Sequence, residues 1–404
     1  MSNSSTYLKT FKYRLYPTPA QERQMFLVLN VCRNFFNMCV AERKYAYELE
    51  GRSVGKAQQE KTAIQYRKTF PQAKSVFSQT MQTVCDDVDK AFQAFFRRVK
   101  DPSISPKKKG YPRFKSWQRF HSFAFKQFGA GAKLDGRRLK LYGIGRVAVR
   151  WHRPLEGTIK TVRIVHKAGC WYASFACEVE APTPLPETGQ IIGIDVGISA
   201  LVTLSNGVKV ENPNYYRAGQ KKLRVLQRKL ARAKKGSKNR RKALLRVQRQ
   251  QEHVANQRKD YLNKLAYTLI QNYDGIALED LRITNMVRNR HLSKSILDSG
   301  WGYFRERLTH KAASAGRVVV FVNPAYTSKC CSNSNCGAMF QNFDLSTRWV
   351  NCACGLSLDR DHNAAINILS RAGWDASVNG NVVPLLVGVN PSRKRKRRSE
   401  ATRL

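Results

Sequence analysis

Apolar and polar residues follow two different periods in the first hundred residues of the chain. Residues 7–15 alternate between apolar and polar side chains, which predicts a β-strand. Thr18-Pro19-Ala20-Gln21 has the pattern of a capping box with proline at the first helical position, and a helical pattern continues to about Glu50. Further helical segments follow to about Lys100, so residues 17–100 are predicted to form an inserted helical bundle.

The pattern changes to short strands after Asp101. Pro, Gly and Lys dominate residues 102–115, and strands with turn signals then continue to Glu180. In the clearest hairpin, Thr158–Val165 pairs across Lys167-Ala168-Gly169 with Trp171–Val179. We expect the strand at residues 7–15 to join them, which makes residues 1–16 and 101–182 a small β-barrel or sheet.

The second half of the chain begins after a proline-rich stretch, Ala181–Gly189, which is the best candidate for a domain boundary. An apolar run then contains a single acid, Asp195, and the following apolar run ends in a tight turn at Ser205-Asn206-Gly207. A helical pattern covers about residues 213–273 with a break at 236–239. The later predicted elements are a strand at Gly275–Leu281, a helix at 301–315, a strand at 318–322 and a last helix at 361–372.

The charge of the chain indicates its class of partner. Lys and Arg number 72 and Asp and Glu 28, which gives a net charge of +44. Such an excess repels itself in a folded protein, so a polyanion is the expected partner, and nucleic acid is favoured over a membrane. We expect no membrane span and no signal peptide, and therefore a cytoplasmic protein, nucleoid-associated in a prokaryote, or a nuclear protein in a eukaryote.

Basic residues are concentrated in two stretches. Eighteen Lys and Arg lie between Arg217 and Lys264, against two acids, on what is predicted to be an antiparallel helix pair. Basic and aromatic residues also interleave from Arg113 to Phe125, a pattern that suits backbone contacts and base stacking, although most such aromatics belong to a core. The members of this second set are Arg113, Phe114, Lys115, Trp117, Arg119, Phe120, Phe123 and Phe125.

Three acids lie at the ends of predicted elements: Asp195 in a strand, Glu279 at the end of a later strand and Asp361 at the start of the last helix. A β-hairpin, a helix, a strand with an acid and a helix with an acid occur in this order in an RNase H-like fold. Carboxylates arranged in this way hold two Mg²⁺ ions, or Mn²⁺, for phosphodiester hydrolysis. Asp280 and Asp359 are rival candidates for two of the three places.

The ten cysteines fall into two groups. Five crowd between residues 330 and 354, where Cys331, Cys336, Cys352 and Cys354 predict a structural Zn²⁺ ribbon. Their spacing departs from two regular Cys-x-x-Cys pairs, so a degenerate ribbon without metal is the alternative, and Cys330 is a spare thiol or a substitute ligand. The other five are expected to be buried free thiols: Cys32, Cys39, Cys85, Cys170 and Cys177.

Several motifs together resemble the signatures of TnpB, a family of transposon-encoded RNA-guided nucleases related to the type V CRISPR effectors. In chain order they are Gly110-Tyr-Pro-Arg-Phe-Lys115, Gly193-Ile-Asp-Val-Gly197, Leu278-Glu-Asp-Leu281, Tyr326-Thr-Ser-Lys-x-Cys331 and Asp359-Arg-Asp-His-Asn-Ala-Ala-Ile-Asn-Ile368. The resemblance covers most of the chain and is firmest from Gly189 to Arg371.

The resemblance implies an α+β multidomain fold. Its parts are a wedge β-barrel (residues 1–16 and 101–182) with the inserted helical recognition bundle, and a RuvC-like nuclease domain (189–324 and 357–378) with a zinc-ribbon insert (325–356). It further implies one guide RNA of the omega type per monomer, and cleavage of double-stranded target DNA next to a short flanking motif. By motif, the catalytic acids are Asp195, Glu279 and Asp361. A basic tail at 379–404 is expected to be disordered.

Other functions remain as alternatives. An RNA-guided DNA-binding repressor without nuclease activity would share the fold, but such proteins lose active-site acids that this chain has kept. Gly193–Gly197 also resembles the phosphate loop of an actin-like ATPase, whose second phosphate motif is missing here. The sequence supplies no His or Tyr nucleophile site for strand transfer by a transposase.

Overall fold

The computed structural model describes residues 6–341 and 347–374. The chain divides into two compact units, residues 1–181 and 182–404, and the predicted proline-rich boundary starts at this division. The predicted disordered tail at 379–404 lies outside the described residues. In the described part of the chain, no helix is both long enough and apolar enough to cross a membrane.

The first unit combines one antiparallel sheet with helices. Its strands are β1 (Thr6–Tyr16), β2 (Ser122–Phe125), β3 (Ala132–Asp135), β4 (Arg138–Leu141), β5 (Gly145–Arg150), β6 (Thr158–Lys167) and β7 (Cys170–Glu180). The helices between β1 and β2 are α1 (Pro19–Glu50), α2 (Lys56–Thr69), α3 (Pro71–Lys74) and α4 (Ser78–Lys100). The strand order is β2-β6-β7-β1-β5-β4-β3.

The long strand β1 organises this sheet. It pairs with β7 from Thr6–Glu180 to Leu15–Trp171, and its far end also pairs with β5. Alternate residues Phe11, Tyr13 and Leu15 are buried, which confirms the strand predicted from the alternating pattern. Among the described strands the hydrogen-bonded order has two ends, β2 and β3, so closure into a barrel stays a prediction.

Helix α1 begins and ends with strong local signals. Thr18 Oγ1 accepts a hydrogen bond from the Gln21 amide at 3.3 Å, and Gln21 Oε1 accepts one from the Thr18 amide at 3.0 Å, which confirms the capping box. The helix ends at Gly51, where φ is 63° and a side chain would be strained. Phe35 and Phe36 of this helix share one core with the sheet.

That common core bears on two predictions. The predicted barrel and helical bundle bury their apolar faces against each other, so their separation into two domains stays a prediction. Four of the five scattered cysteines are buried in the core. Cys170 is only half-buried, because it starts β7 beside the hairpin turn, and the prediction of a buried thiol was wrong there.

The second unit contains the remaining elements. Its strands are β8 (Ile191–Val196), β9 (Ala200–Leu204), β10 (Lys209–Glu211), β11 (Gly275–Glu279), β12 (Val318–Val322), β13 (Trp349–Asn351) and β14 (Ser357–Asp359). Its helices are α5 (Tyr215–Arg232), α6 (Lys238–Asn272), α7 (Ile283–Met286), α8 (Ser293–Ser299), α9 (Trp301–Ala315) and α10 (Arg360–Arg371).

Five strands form a mixed sheet in the order β10-β9-β8-β11-β12. Strand β9 is antiparallel to both of its neighbours, β10 and β8, whereas β8, β11 and β12 run parallel. Ile192 and Ile276 face a core with α6 and α9. Gly193 and Ala277 point to the opposite face, where α10 packs. Both faces of the sheet are therefore covered by helices.

Helices α5 and α6 form the predicted basic pair. Near the end of α5, the Leu230 carbonyl accepts a hydrogen bond of 2.9 Å from Arg240 Nη1, which lies near the start of α6. Gly219, near the start of α5, lies beside Val254 of α6. These contacts show an antiparallel arrangement. Of the eighteen basic residues counted above, all but Arg240 and Arg258 are exposed.

Candidate functional site

Asp195 lies near the end of β8, directly after the buried residue Ile194. Burial raises the pKa of its carboxyl group well above the usual value, and the negative charges of Glu279 and Asp361 raise it further. A carboxylate in this environment is costly unless a proton or a cation accompanies it. Asp195 is therefore an acid that needs a partner, as the sequence predicts.

Glu279 ends β11, the parallel neighbour of β8. The register pairs Ile194 with Leu278, so Asp195 and Glu279 follow at the same level on adjacent strands. Because side chains alternate along a strand, both acids point to the same face of the sheet as Gly193 and Ala277. Burial raises the pKa of Glu279, partly offset by a hydrogen bond from Thr327.

Asp361 is brought to this face by α10. A Cβ atom on Gly193 would lie 2.2 Å from the Ala365 carbonyl oxygen, so the helix backbone touches the strand there. Asp361 comes one helical turn before Ala365, and Asp195 comes two residues after Gly193. The helix runs against the strand direction, because Asp361 lies near Asp195 whereas Ala365 and Leu369 lie beside Gly193. The fold therefore brings all three predicted acids together at one end of α10.

The two rival acids have other partners. Asp280 is exposed and forms an ion pair with Arg305 of α9. Asp359 caps α10 by accepting from the amides of Asp361 and His362 at 3.1 and 3.2 Å, and it pairs with Lys209 at 2.7 Å. Burial disfavours the charge of Asp359, but these hydrogen bonds outweigh it and hold its pKa below the usual value.

Asp361 itself accepts hydrogen bonds from the guanidinium of Arg360, at 3.0 and 3.1 Å. Within the described residues, only one group of three or more His, Cys, Asp or Glu has all its ligand atoms within 4.8 Å, and it consists of cysteines. The three acids are thus neighbours, but their carboxylate oxygens do not all lie within 4.8 Å of one another. Their carboxylate oxygens are the ligand type that Mg²⁺ prefers, and substrate phosphate usually completes such sites.

The four predicted zinc ligands form that cysteine group. The sulfur atoms of Cys331 and Cys354 are 3.6 Å apart, and those of Cys336 and Cys352 are 3.5 Å apart. Four thiolates about 2.3 Å from a tetrahedral zinc ion would be separated by nearly these distances, so the residues fit the metal. Cys330 is turned away, with its sulfur 3.3 Å from that of Met339.

The aromatic residues interleaved with basic ones divide into two groups. Phe120, Phe123 and Phe125 are buried in the core of the first unit, as most such aromatics are. Phe114 and Trp117 are 50% and 49% exposed, and their neighbours Arg113 and Arg119 face solvent. Only the second group is available for contact with a nucleic acid.

Sequence reasoning gave no role to three residues that contact the acids. Thr327 holds Glu279, Arg360 holds Asp361 and Lys209 holds Asp359. Arg360 was visible as the neighbour of a candidate acid. Thr327 and Lys209 are 48 and 150 residues from the acids that they contact, and no local pattern indicates those pairings.

Comparison with known proteins supports a relationship along the whole chain. Residues 174–290 match the family described as "Probable transposase", residues 301–368 match "Cas12f1-like, TNB domain" and residues 5–52 match "Helix-turn-helix domain". The last description does not fit the structure, in which this segment is β1 followed by the single continuous helix α1.

Two relatives extend over nearly the full length. A Streptomyces pristinaespiralis protein, provisionally named an RNA-guided DNA endonuclease, is 33% identical over 96% of this chain and 94% of its own. InsQ of Escherichia coli K12, with the same provisional name, is 32% identical over 90% of this chain and 92% of its own.

A solved structure supports the fold. The protein in a cryo-EM structure titled as a Cas12f1–sgRNA–target DNA complex matches with a TM-score of 0.54 at 14% identity, over 90% of this chain and 98% of that one. Fold and site thus define an α+β protein with a cluster of carboxylates beside a four-cysteine site. The chain belongs to the TnpB family.

Proposed function

We propose that the protein is an RNA-guided DNA endonuclease that hydrolyses phosphodiester bonds at Asp195, Glu279 and Asp361. The convergence of these acids on one face of the sheet carries the proposal. The order β10-β9-β8-β11-β12, antiparallel and then parallel, is that expected of an RNase H-like (RuvC) nuclease. The names of the two long relatives agree with it.

The site suits chemistry with two divalent ions, Mg²⁺ or Mn²⁺. When bound, such ions would activate a water molecule and stabilise the leaving 3′ oxygen. Both Glu279 and Asp361 act electrostatically on Asp195, so Asp195 would be the acid to contact both ions. Because burial and the neighbouring carboxylates raise the pKa of Asp195, its ionised form is costly, and a bound cation would offset that cost. Glu279 accepts a hydrogen bond from the Thr327 hydroxyl, and Asp361 lies in the first turn of α10.

The proposed partners are a guide RNA of the omega type and double-stranded target DNA that carries a short flanking motif. The net charge of +44 and the exposed basic face of α5 and α6 support a partner with a phosphate backbone. Exposed Phe114 and Trp117 between arginines suit stacking on unpaired bases. One monomer per RNA is the assembly that we propose.

The four-cysteine cluster is proposed to hold one structural Zn²⁺. All four positions of a tetrahedral ion would be filled by thiolates, which leaves no place for a reacting water. The ribbon lies immediately before α10 in the chain, so its role would be to fix the approach to the helix that carries Asp361.

Paired substitutions test the site assignment. Glu279→Gln should abolish cleavage of a guide-matched duplex in Mg²⁺ while target binding persists, because only a ligand oxygen is lost. Asp280→Asn, one residue away but exposed and paired with Arg305, should cleave normally. Equal loss in both variants would contradict the assignment. Tight target binding by wild-type protein without cleavage in Mg²⁺ or Mn²⁺ would favour the repressor alternative.

Sequencing the RNA that copurifies with the protein tests the guided part of the proposal. A defined RNA species, whose variable end matches the DNA next to the gene, is expected. A mixture of unrelated cellular RNAs would indicate an unguided nucleic-acid-binding protein instead.

A further inference from the structure

We propose that Thr327 is a positioning residue for Glu279, and that α10 sets the place of Thr327 through Asn363 and Asn367. This inference rests on the proposed nuclease function. It would mean that one helix controls two of the three acids: Asp361 directly, and Glu279 through the loop that joins β12 to the cysteine ribbon.

Thr327 is 4% exposed, and its hydroxyl donates to Oε1 of Glu279. The Pro324 carbonyl oxygen, at 3.3 Å, is a second and more distant acceptor for the same proton. A hydroxyl has a single proton to donate, and hydrogen bonds to a charged acceptor are shorter and stronger than those to a neutral one. The contact with Glu279 is therefore the dominant one.

Two asparagines of α10 hold the loop that contains Thr327. Asn367 Nδ2 donates to the Thr327 carbonyl at 2.8 Å and to the Cys330 carbonyl at 2.7 Å. Asn363, which is fully buried, donates to the same Cys330 carbonyl at 2.7 Å and accepts from the Ser332 amide at 2.9 Å. These four bonds attach the loop to successive turns of one helix face.

The loop backbone is itself restricted. Tyr326 has a φ of 62°, an uncommon conformation for a residue with a side chain. Its carbonyl accepts from the amides of Lys329 and Cys330, both at 3.1 Å, which closes a tight turn around Thr327. The next residue, Cys331, belongs to the thiol cluster. The turn thus has little freedom to move without α10 or the ribbon.

Partners that orient a metal ligand usually affect metal affinity or activity by about 10–100-fold when they are removed. The valine side chain matches threonine in shape but lacks the hydroxyl, so Thr327→Val should leave the packing intact and release Glu279. We expect the Mg²⁺ concentration for half-maximal cleavage to rise by about 10–100-fold. Thr327→Ser keeps the hydroxyl and should restore a value close to wild type.

The control is Thr309→Val on α9. Thr309 is exposed, and its hydroxyl bonds the Arg305 carbonyl within its own helix. This variant should have the wild-type Mg²⁺ dependence. Asn367→Ala should resemble Thr327→Val, because it removes two of the bonds that hold the loop, whereas Asn272→Ala near the end of α6 should not.

A second measurement separates this inference from the proposed activity. Mn²⁺ binding to the RNA-loaded protein with target DNA is followed by electron paramagnetic resonance. Weaker Mn²⁺ binding in Thr327→Val, with rescue by Thr327→Ser, supports the positioning role even if the wild-type protein does not cleave. Wild-type Mn²⁺ affinity and Mg²⁺ dependence in Thr327→Val would overturn it, and thermal unfolding checks that each variant is folded.

Discussion

The contact between Gly193 and α10 gives the sharpest prediction about the geometry of the site. A methyl group on residue 193 would lie 2.2 Å from the Ala365 carbonyl oxygen, 2.8 Å from the Leu369 Cβ and 2.9 Å from the Leu369 amide nitrogen. Two of these atoms belong to the helix backbone and cannot rotate away. Gly193→Ala should therefore push α10 off the sheet.

The size of the shift follows from the contact distances. Real Cβ atoms essentially never approach another atom closer than 3.0 Å, so the helix must withdraw by about 1 Å. Overpacking of this kind costs about 1–3 kcal/mol of folding free energy. The same displacement separates Asp361 from Asp195, and a misplacement of about 1 Å in a catalytic constellation can reduce the rate by about 100-fold.

The assay is single-turnover cleavage of a guide-matched duplex by the RNA-loaded protein, together with thermal unfolding of the same preparations. Gly193→Ala should lose about two orders of magnitude in rate while remaining folded. Gly302→Ala is the control, because a Cβ there meets only Ile283 Cδ1 at 3.4 Å, an ordinary contact, and alanine favours a helix.

Gly193→Ala protein that cleaves at the wild-type rate would refute the argument that α10 sets the distance between the acids. A folded variant that loses target binding together with cleavage would also contradict it, since the helix contact should affect only the carboxylates.

Three further predictions concern charge, metal and partner. The pKa of Asp195 is raised in the folded state, so its ionisation destabilises the metal-free protein as the pH rises. Asp195→Asn should therefore raise the unfolding temperature measured in EDTA, and the increase should be larger at pH 8 than at pH 5. Cys336→Ser should lower the zinc content measured by mass spectrometry, and Cys330→Ser should retain it, because Cys330 faces Met339. Phe114→Ala and Trp117→Ala should each weaken the binding of RNA or DNA, by about 1–3 kcal/mol for a side chain on which a base stacks. Because both side chains are exposed, the unfolding temperature should change little.

Local sequence patterns predicted elements of both units well. The alternation at residues 7–15, the capping box at Thr18 and the acids at strand ends all have short-range causes, and the structure contains the corresponding elements. The sequence pattern left Asp280 as a rival of Glu279, and the register of β11 separates the two. Adjacent residues of a strand point to opposite faces, and only the face toward α10 holds the other acids.

Other features depend on contacts that no local pattern encodes. The hydrogen bond from Thr327 to Glu279 needs the loop after β12 to return over β11, and the attachment of that loop needs α10. The sequence likewise did not predict that Phe114 is exposed and Phe120 is buried. Interleaved basic and aromatic residues are equally compatible with the edge of a core and with a binding surface.

The most direct test of the account is cleavage of a duplex that matches the copurified RNA and carries the flanking motif. In Mg²⁺, wild-type protein should cut both strands, while a duplex with a scrambled target sequence should stay intact. Glu279→Gln protein should bind the matched duplex without cutting it. Cleavage by Glu279→Gln, or equal cleavage of the matched and scrambled duplexes by wild-type protein, would contradict the central claim.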